Sequence, residues 1–127
     1  MGQEIDLLKN YPKTNRDINA RLEHKTENDR VIARKFGKDF FDGSRSHGYG
    51  GFSYNLRFWE PVIPTFQDHW SLDENSSVLD IGCAKGFMIY DMKRLIPGIE
   101  VHGVDISHYA IENAKREIKN CCEVADA

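Results

Sequence analysis

The chain has 127 residues, enough for one domain or part of one. It is 40% hydrophobic and 29% charged with a formal net charge of −3, so it lacks the basic excess that marks a nucleic-acid binder. No apolar run approaches the roughly 18 residues that a membrane span needs, and the acidic start MGQEIDLLKN is no secretory leader. Asp6 stands where an N-myristoylation signal opening at Gly2 has Ser or Thr. The cysteines include the neighbours Cys121 and Cys122, with no CxxC and no histidine at zinc-ligand spacing. Reduced thiols in a cytoplasmic protein are expected, with a redox or metal role for the vicinal pair as the alternative.

The first forty residues read as helical. Thr14 or Asn15 caps a helix carrying Ile18 and Leu22. Thr26 caps the next, with Asp29 in capping-box position and Val31, Ile32, Phe36 and Phe40 on one side, and Asp42-Gly43 stops it. The charged run from Arg21 to Lys38 reads as a solvated helix face. SRSHGYGGFSY follows, where Gly48, Gly50 and Gly51 disfavour a helix and the aromatics predict an ordered loop or short hairpin. Trp59, Ile63, Phe66 and Trp70 then form a helical stripe, its regular part starting after Pro61 or Pro64.

From Ser76 the pattern changes to strand, helix, strand, helix, strand. Ser77–Ile81 and Ile99–Val104 are strands, and Cys122–Ala125 begins a third. A helix over Lys85–Leu95 presents Met88, Met92 and Leu95. Ser107 caps a second helix that buries Ile111, Ala114 and Ile118 and pairs Glu112 with Arg116. This order predicts a parallel sheet with right-handed crossovers: an α/β, Rossmann-like domain over 76–127, preceded by an N-terminal helical region with a Gly/aromatic loop, a lid or cap, over 1–75.

The chemistry concentrates in VLDIGCAKG. Asp80 ends the first strand, and Gly82, Ala84 and Gly86 alternate through the turn, keeping it free of bulk so that backbone approaches a ligand and the next helix packs closely. The second strand ends at Asp105, whose carboxylate suits the two hydroxyls of a ribose. The frame departs from GxGxxG, and Asp80 beside the turn suits a positively charged ligand better than a pyrophosphate. The ligand-free alternatives are a plain strand–helix turn with Asp80 as a capping acid, Cys83 as small packing, Ile106 as core and Asp126 as a terminal residue.

VLDIGCAKG followed by GVDIS resembles the class I S-adenosylmethionine-dependent methyltransferases, whose first motif is D-x-G-x-G-x-G; Ala84 replaces its middle glycine. The resemblance covers Ser76 to Ala127, and DGSRSHGYGGFSYN is similar to a segment upstream of the motif in some bacterial members that act on sugars or other small metabolites. It implies that Asp80, Gly82, Cys83 and Ala84 line the methionine end of the cofactor, with Gly86 completing the turn. It also implies that Asp105 binds the ribose, that Ile106 packs on the adenine and that Asp126 reads its amino group.

The function expected is methyl transfer from S-adenosylmethionine to a small-molecule acceptor, with no nucleic acid, membrane or metal involved. Arg45, His47 and Tyr49 are the candidates for an acceptor site, His47 as a base; the alternative is a turn filled by aromatics. The competing functions are an NAD-type oxidoreductase or epimerase and a non-catalytic, truncated cofactor-binding fragment. The family's sheet has more strands than this chain supplies, so a partial domain is expected, truncated after the start of the third strand, with an uncovered sheet edge available for self-association.

Overall fold

The computed structural model describes residues 2–13 and 25–127; the helix expected from Thr14 or Asn15, with Ile18 and Leu22, lies outside the described residues. The capping box forms as expected: the Asp29 amide donates to Thr26 Oγ1 (3.1 Å) and the Thr26 amide to Asp29 Oδ2 (3.0 Å), opening helix α1 (Glu27–Ala33). The helix does not reach Phe40. Phe36 takes a left-handed φ of 48°, its carbonyl accepts the Ser107 hydroxyl, and Gly37 starts a separate helix α2 (Lys38–Asp42). The break moves burial from the expected stripe to Phe41: Val31 and Phe36 are exposed, and α1 buries nothing fully.

The glycine-aromatic segment is a 3₁₀ turn (Arg45–His47) and an ordered loop. Its backbone is tied to α2 by the Tyr49 amide on the Phe40 carbonyl (2.9 Å) and the Gly51 amide on the Phe41 carbonyl (3.1 Å). Helix α3 (Leu56–Trp59) is capped by Asn55, and α4 (Ile63–Trp70) carries Pro64 in its first turn, where a missing N–H costs no intrahelical bond. Val62, Ile63 and Phe66 are buried, but Trp70, at the end of α4, stays half exposed against the Phe66 ring.

Strands β1 (Ser77–Ile81), β2 (Glu100–Asp105) and β3 (Cys122–Val124) form a parallel sheet in the order β1-β2-β3, the open arrangement of a partial Rossmann-like fold. Helix α5 (Phe87–Leu95) covers one face, starting two residues later than the sequence spacing predicts because Lys85 and Gly86 belong to the turn. One core joins the two parts of the chain: Val62, Ile63 and Phe66 pack with Ile89, Met92, Val101 and Ile118. Alternation along β1 turns Leu79 (57% exposed) and Ile81 (63%) to the opposite, uncovered face.

The helix capped by Ser107 is shorter than expected. Helix α6 (His108–Glu112) buries Ala110 and Ile111 and then stops. The Lys115 amide instead donates to the Lys85 carbonyl (2.9 Å), and a 3₁₀ helix (Arg116–Cys121) brings Ile118 beneath the glycine turn. No Glu112–Arg116 ion pair forms among the described residues, because the helical spacing it needs is lost. Nor, among them, is any helix long and apolar enough to cross a membrane.

Gly86 has φ +76°, and a Cβ there would lie 2.3 Å from Ile118 Cδ1, a fully buried side chain. Strain and overpacking therefore act together in Gly86→Ala, which is expected to lower unfolding free energy by about 2 kcal/mol. Urea denaturation checks this; an unchanged midpoint would contradict the packing.

Candidate functional site

The glycine turn is held against the tip of β2 by backbone donors. The Gly82 and Cys83 amides share the Val104 carbonyl at 2.8 and 3.0 Å, which draws the turn across the neighbouring strand. The Asp105 carboxylate accepts the Ala84 amide on Oδ2 and the Ser107 amide on Oδ1, both at 2.8 Å. Hydrogen bonds to a charged group contribute about 1.5–3 kcal/mol each. Asp105 thus fixes the turn of one strand and the helix start of the next, while the Ala125 amide on its carbonyl (3.0 Å) adds the third strand.

The Asp80 carboxylate stands near that of Asp105 and makes no hydrogen bond among the described residues. Burial first, and the Asp105 charge second, raise its pKa above the ordinary carboxylate value. A cationic ligand group would relieve both effects, and a diphosphate would aggravate the second. In front of the turn there is space: a Cβ at Gly82 would meet no atom within 4 Å. Cys83 is buried, and its thiol is pushed up by burial, then by Cys122 and the carboxylates, so it is no nucleophile.

Two cavities flank the turn. The larger, about 380 Å³, lies between Asp105, Ile106 and Asp126 on one side and Phe36, Phe40 and Tyr49 on the other. The smaller, about 220 Å³, places Asp80 and Cys83 opposite aromatic rings that include Tyr11, Tyr49 and Trp59. Gly82, Ala84 and Tyr49 line both. Gly86 lines neither and serves the packing of Ile118 instead.

Of the candidates in the glycine-aromatic loop, only Tyr49 reaches the cavities. His47 is turned to Asp29 (Nε2 to Oδ1, 3.1 Å), and Arg45 lines neither cavity. The aromatic walls from Phe36, α2 and the segment around Trp59 carry no motif and were not foreseen. A second unforeseen element is Lys85. Its ammonium is buried and donates to Asp42 Oδ2 and to the Phe52 carbonyl, both at 2.7 Å, while Tyr109 donates its hydroxyl to the same Asp42 oxygen. The one sequence signal was a lysine inside an otherwise small, buried turn, which demands a partner.

Residues 72–122 match a family described as "Methyltransferase domain". Comparison with curated proteins finds no match. Among solved structures, MccD protein aligns at 27% identity over 50% of this chain and 31% of that one, with a TM-score of 0.44. A structure from work on the conversion of a disulfide bond into a thioacetal group during echinomycin biosynthesis aligns at 24% identity over 72% and 38%, with a TM-score of 0.45. The chain spans about a third of the length of these structures.

Two outcomes test the turn and its tether. Ala84 has φ +52°, a left-handed conformation that costs a residue with a Cβ about 1 kcal/mol, so Ala84→Gly is expected to stabilise the fold by up to about that amount in urea melts. Partial burial opposes ionisation of Asp42, but the bonds from Lys85, Tyr109 and the Phe52 amide outweigh it and hold the carboxyl at about 2, against an ordinary 3.8. Its folded pKa is depressed, so its contribution to stability is whole above the ordinary value and disappears as pH falls toward about 2. Asp42→Asn should therefore be less stable than the native chain at pH 6, with the gap closing near pH 2 in acid unfolding followed by near-ultraviolet circular dichroism.

Proposed function

From the match of residues 72–122 to the methyltransferase-domain family, we propose that the chain binds S-adenosylmethionine across the tips of β1 and β2, as part of an enzyme that methylates a small molecule. The observation that carries this reading is the clasp of Asp105 on the Ala84 amide, which joins the glycine turn and the second acid into one site. The residues fit such a cofactor. An ionised carboxylate has about four lone-pair positions, so Asp105 can serve two backbone amides and still accept two ribose hydroxyls. Ile106 and Asp126, on the wall of the larger cavity, suit the face and the amino group of an adenine. Asp80, unpaired among the described residues and desolvated, suits the methionine ammonium.

When bound, the cofactor supplies a methyl group on a sulfonium, already activated for displacement. The chain's own contribution is alignment and exclusion of water by the aromatic walls of both cavities. A dinucleotide is disfavoured by the two neighbouring acids: burial, and then the Asp105 charge, already raise the Asp80 pKa, and a diphosphate would add to the second effect.

Isothermal titration of the folded chain is expected to show S-adenosylmethionine binding, lost or weakened more than about tenfold in Asp105→Ala, as removal of two charge-assisted hydrogen bonds requires. Absence of binding by the folded native chain, or tighter binding of NAD, would remove this reading.

A further inference from the structure

Cys121 and Cys122 are neighbours in sequence, but the fold sets Cys122 against Cys83. Cys83, in the glycine turn, lies over Gly103 of β2: a Cβ there would meet Cys83 Sγ at 2.7 Å and Cys83 Cβ at 2.9 Å. Gly103 is also paired in register with Cys122 of β3. Paired residues of adjacent strands share a face, so the side chains of Cys83 and Cys122 converge in the space that Gly103 leaves empty. A Cβ at Gly86 would lie 3.4 Å from Cys122 Sγ, and the Gly86 amide donates to the Cys83 carbonyl at 2.9 Å. Both sulfurs thus sit beneath one turn, close enough for each thiol to act on the ionisation of the other.

The two thiols differ in access. Cys83 is buried. Cys122 is half-buried and lines a cavity of about 430 Å³ together with Leu79, His102 and Cys121, away from the two cavities that flank the turn. A small solute in that cavity reaches Cys122 first. A bond between Cys121 and Cys122 would strain their shared peptide, which leaves Cys83 as the partner.

We propose that Cys83 and Cys122 form a dithiol that hydrogen peroxide closes to a disulfide, and that closure controls the glycine turn above it. The Cys122 thiolate attacks one peroxide oxygen. The O–O bond breaks, the departing hydroxide takes up a proton as water, and Cys122 becomes a sulfenic acid. The Cys83 sulfur then bonds to the Cys122 sulfur as the S–O bond breaks, and the Cys83 proton leaves with the hydroxyl as a second water. Both thiols are oxidised and the peroxide is reduced to water. Contact with the sulfenic acid lets Cys83 react here, although burial keeps it from attacking as a free thiolate. Burial also raises the Cys122 pKa, with the Cys83 contact lowering it in part, so closure quickens as pH rises.

Bond formation draws Cys83 toward β3, away from the Val104 carbonyl that holds its amide, and pulls the adjoining Ala84 amide from Asp105. On the cofactor reading above, on which this consequence rests, the oxidised chain binds S-adenosylmethionine more weakly.

The test treats the folded chain with hydrogen peroxide at mildly alkaline pH, in the native protein, Cys121→Ser and Cys122→Ser. Free thiols are counted by alkylation and crosslinked peptides are mapped by mass. S-adenosylmethionine is then titrated before oxidation, after it, and after reduction with dithiothreitol. The native chain and Cys121→Ser are expected to form the Cys83–Cys122 crosslink, and Cys122→Ser to form none. Oxidation should weaken binding about tenfold, the loss of one charge-assisted hydrogen bond, and reduction should restore it. Cys122→Ser should bind as the reduced native chain does, with or without peroxide. A crosslink between Cys121 and Cys122, one between chains, or none overturns the dithiol. Unchanged affinity in a chain that carries the crosslink overturns the control of the turn. A reduced native chain that binds no S-adenosylmethionine removes the cofactor reading and this control with it, while the crosslink still decides the dithiol. Should Cys122→Ser fail to fold, the crosslink in Cys121→Ser decides.

Discussion

Lys85 leaves the glycine turn with its ammonium buried against Asp42 and the Phe52 carbonyl rather than facing either cavity. Asp42 also takes the Tyr109 hydroxyl and, on its other oxygen, the Phe52 amide. One ion pair thereby gathers the end of α2, the glycine-aromatic loop, the turn after β1 and helix α6. A buried lysine without its partner would cost about 3–5 kcal/mol, so these segments cannot separate cheaply. The placement of the aromatic walls follows from this constraint. Tyr49 and Phe52 reach the cavities because the loop is anchored at Asp42, and Phe36 is fixed by its carbonyl on the Ser107 hydroxyl. A further tie farther along α5 joins the Tyr54 hydroxyl to the fully buried Asp91; burial, then that bond, push the Tyr54 phenol to about 12.

At the strand tips, opposite demands meet on two neighbouring acids. Asp105 is satisfied by backbone amides and positions the turn, while the Asp80 carboxylate lacks a hydrogen bond among the described residues and resists ionisation. The first arrangement stabilises the fold. The second is a local cost, set by burial and the neighbouring Asp105 charge, that a cationic ligand group would offset. Ala84 adds a smaller cost, because the turn needs a left-handed residue where it stands and the sequence supplies a methyl group.

The capping box at Thr26, the strand β1, the turn and the acid at the end of β2 were legible because each depends on residues close in sequence or on a two-residue period. The breaks at Phe36 and after Glu112 were not. Phe36 leaves helical geometry while its carbonyl is engaged by Ser107, and the chain after Glu112 is drawn to the Lys85 carbonyl; both partners are remote in sequence. For the same reason Trp70 was misplaced and Val62 missed: helical spacing identifies a face, but only the position of α5 decides how far along that face the core extends.

The sequence by itself determined the local grammar of the site: a strand, a turn without bulk, and a second strand ending in an acid, because steric limits at the turn admit few residues. It also set the charge character that favours a cationic group over a pyrophosphate. Tertiary structure alone decided which side chains close the cavities. His47 is drawn away to Asp29 and Tyr49 is brought to the junction of the two cavities, although they are near neighbours in one loop. That choice rests on the ion pair of Asp42 with Lys85 and on the backbone bonds from the loop to α2, contacts between parts of the chain whose spacing carries no periodic signal.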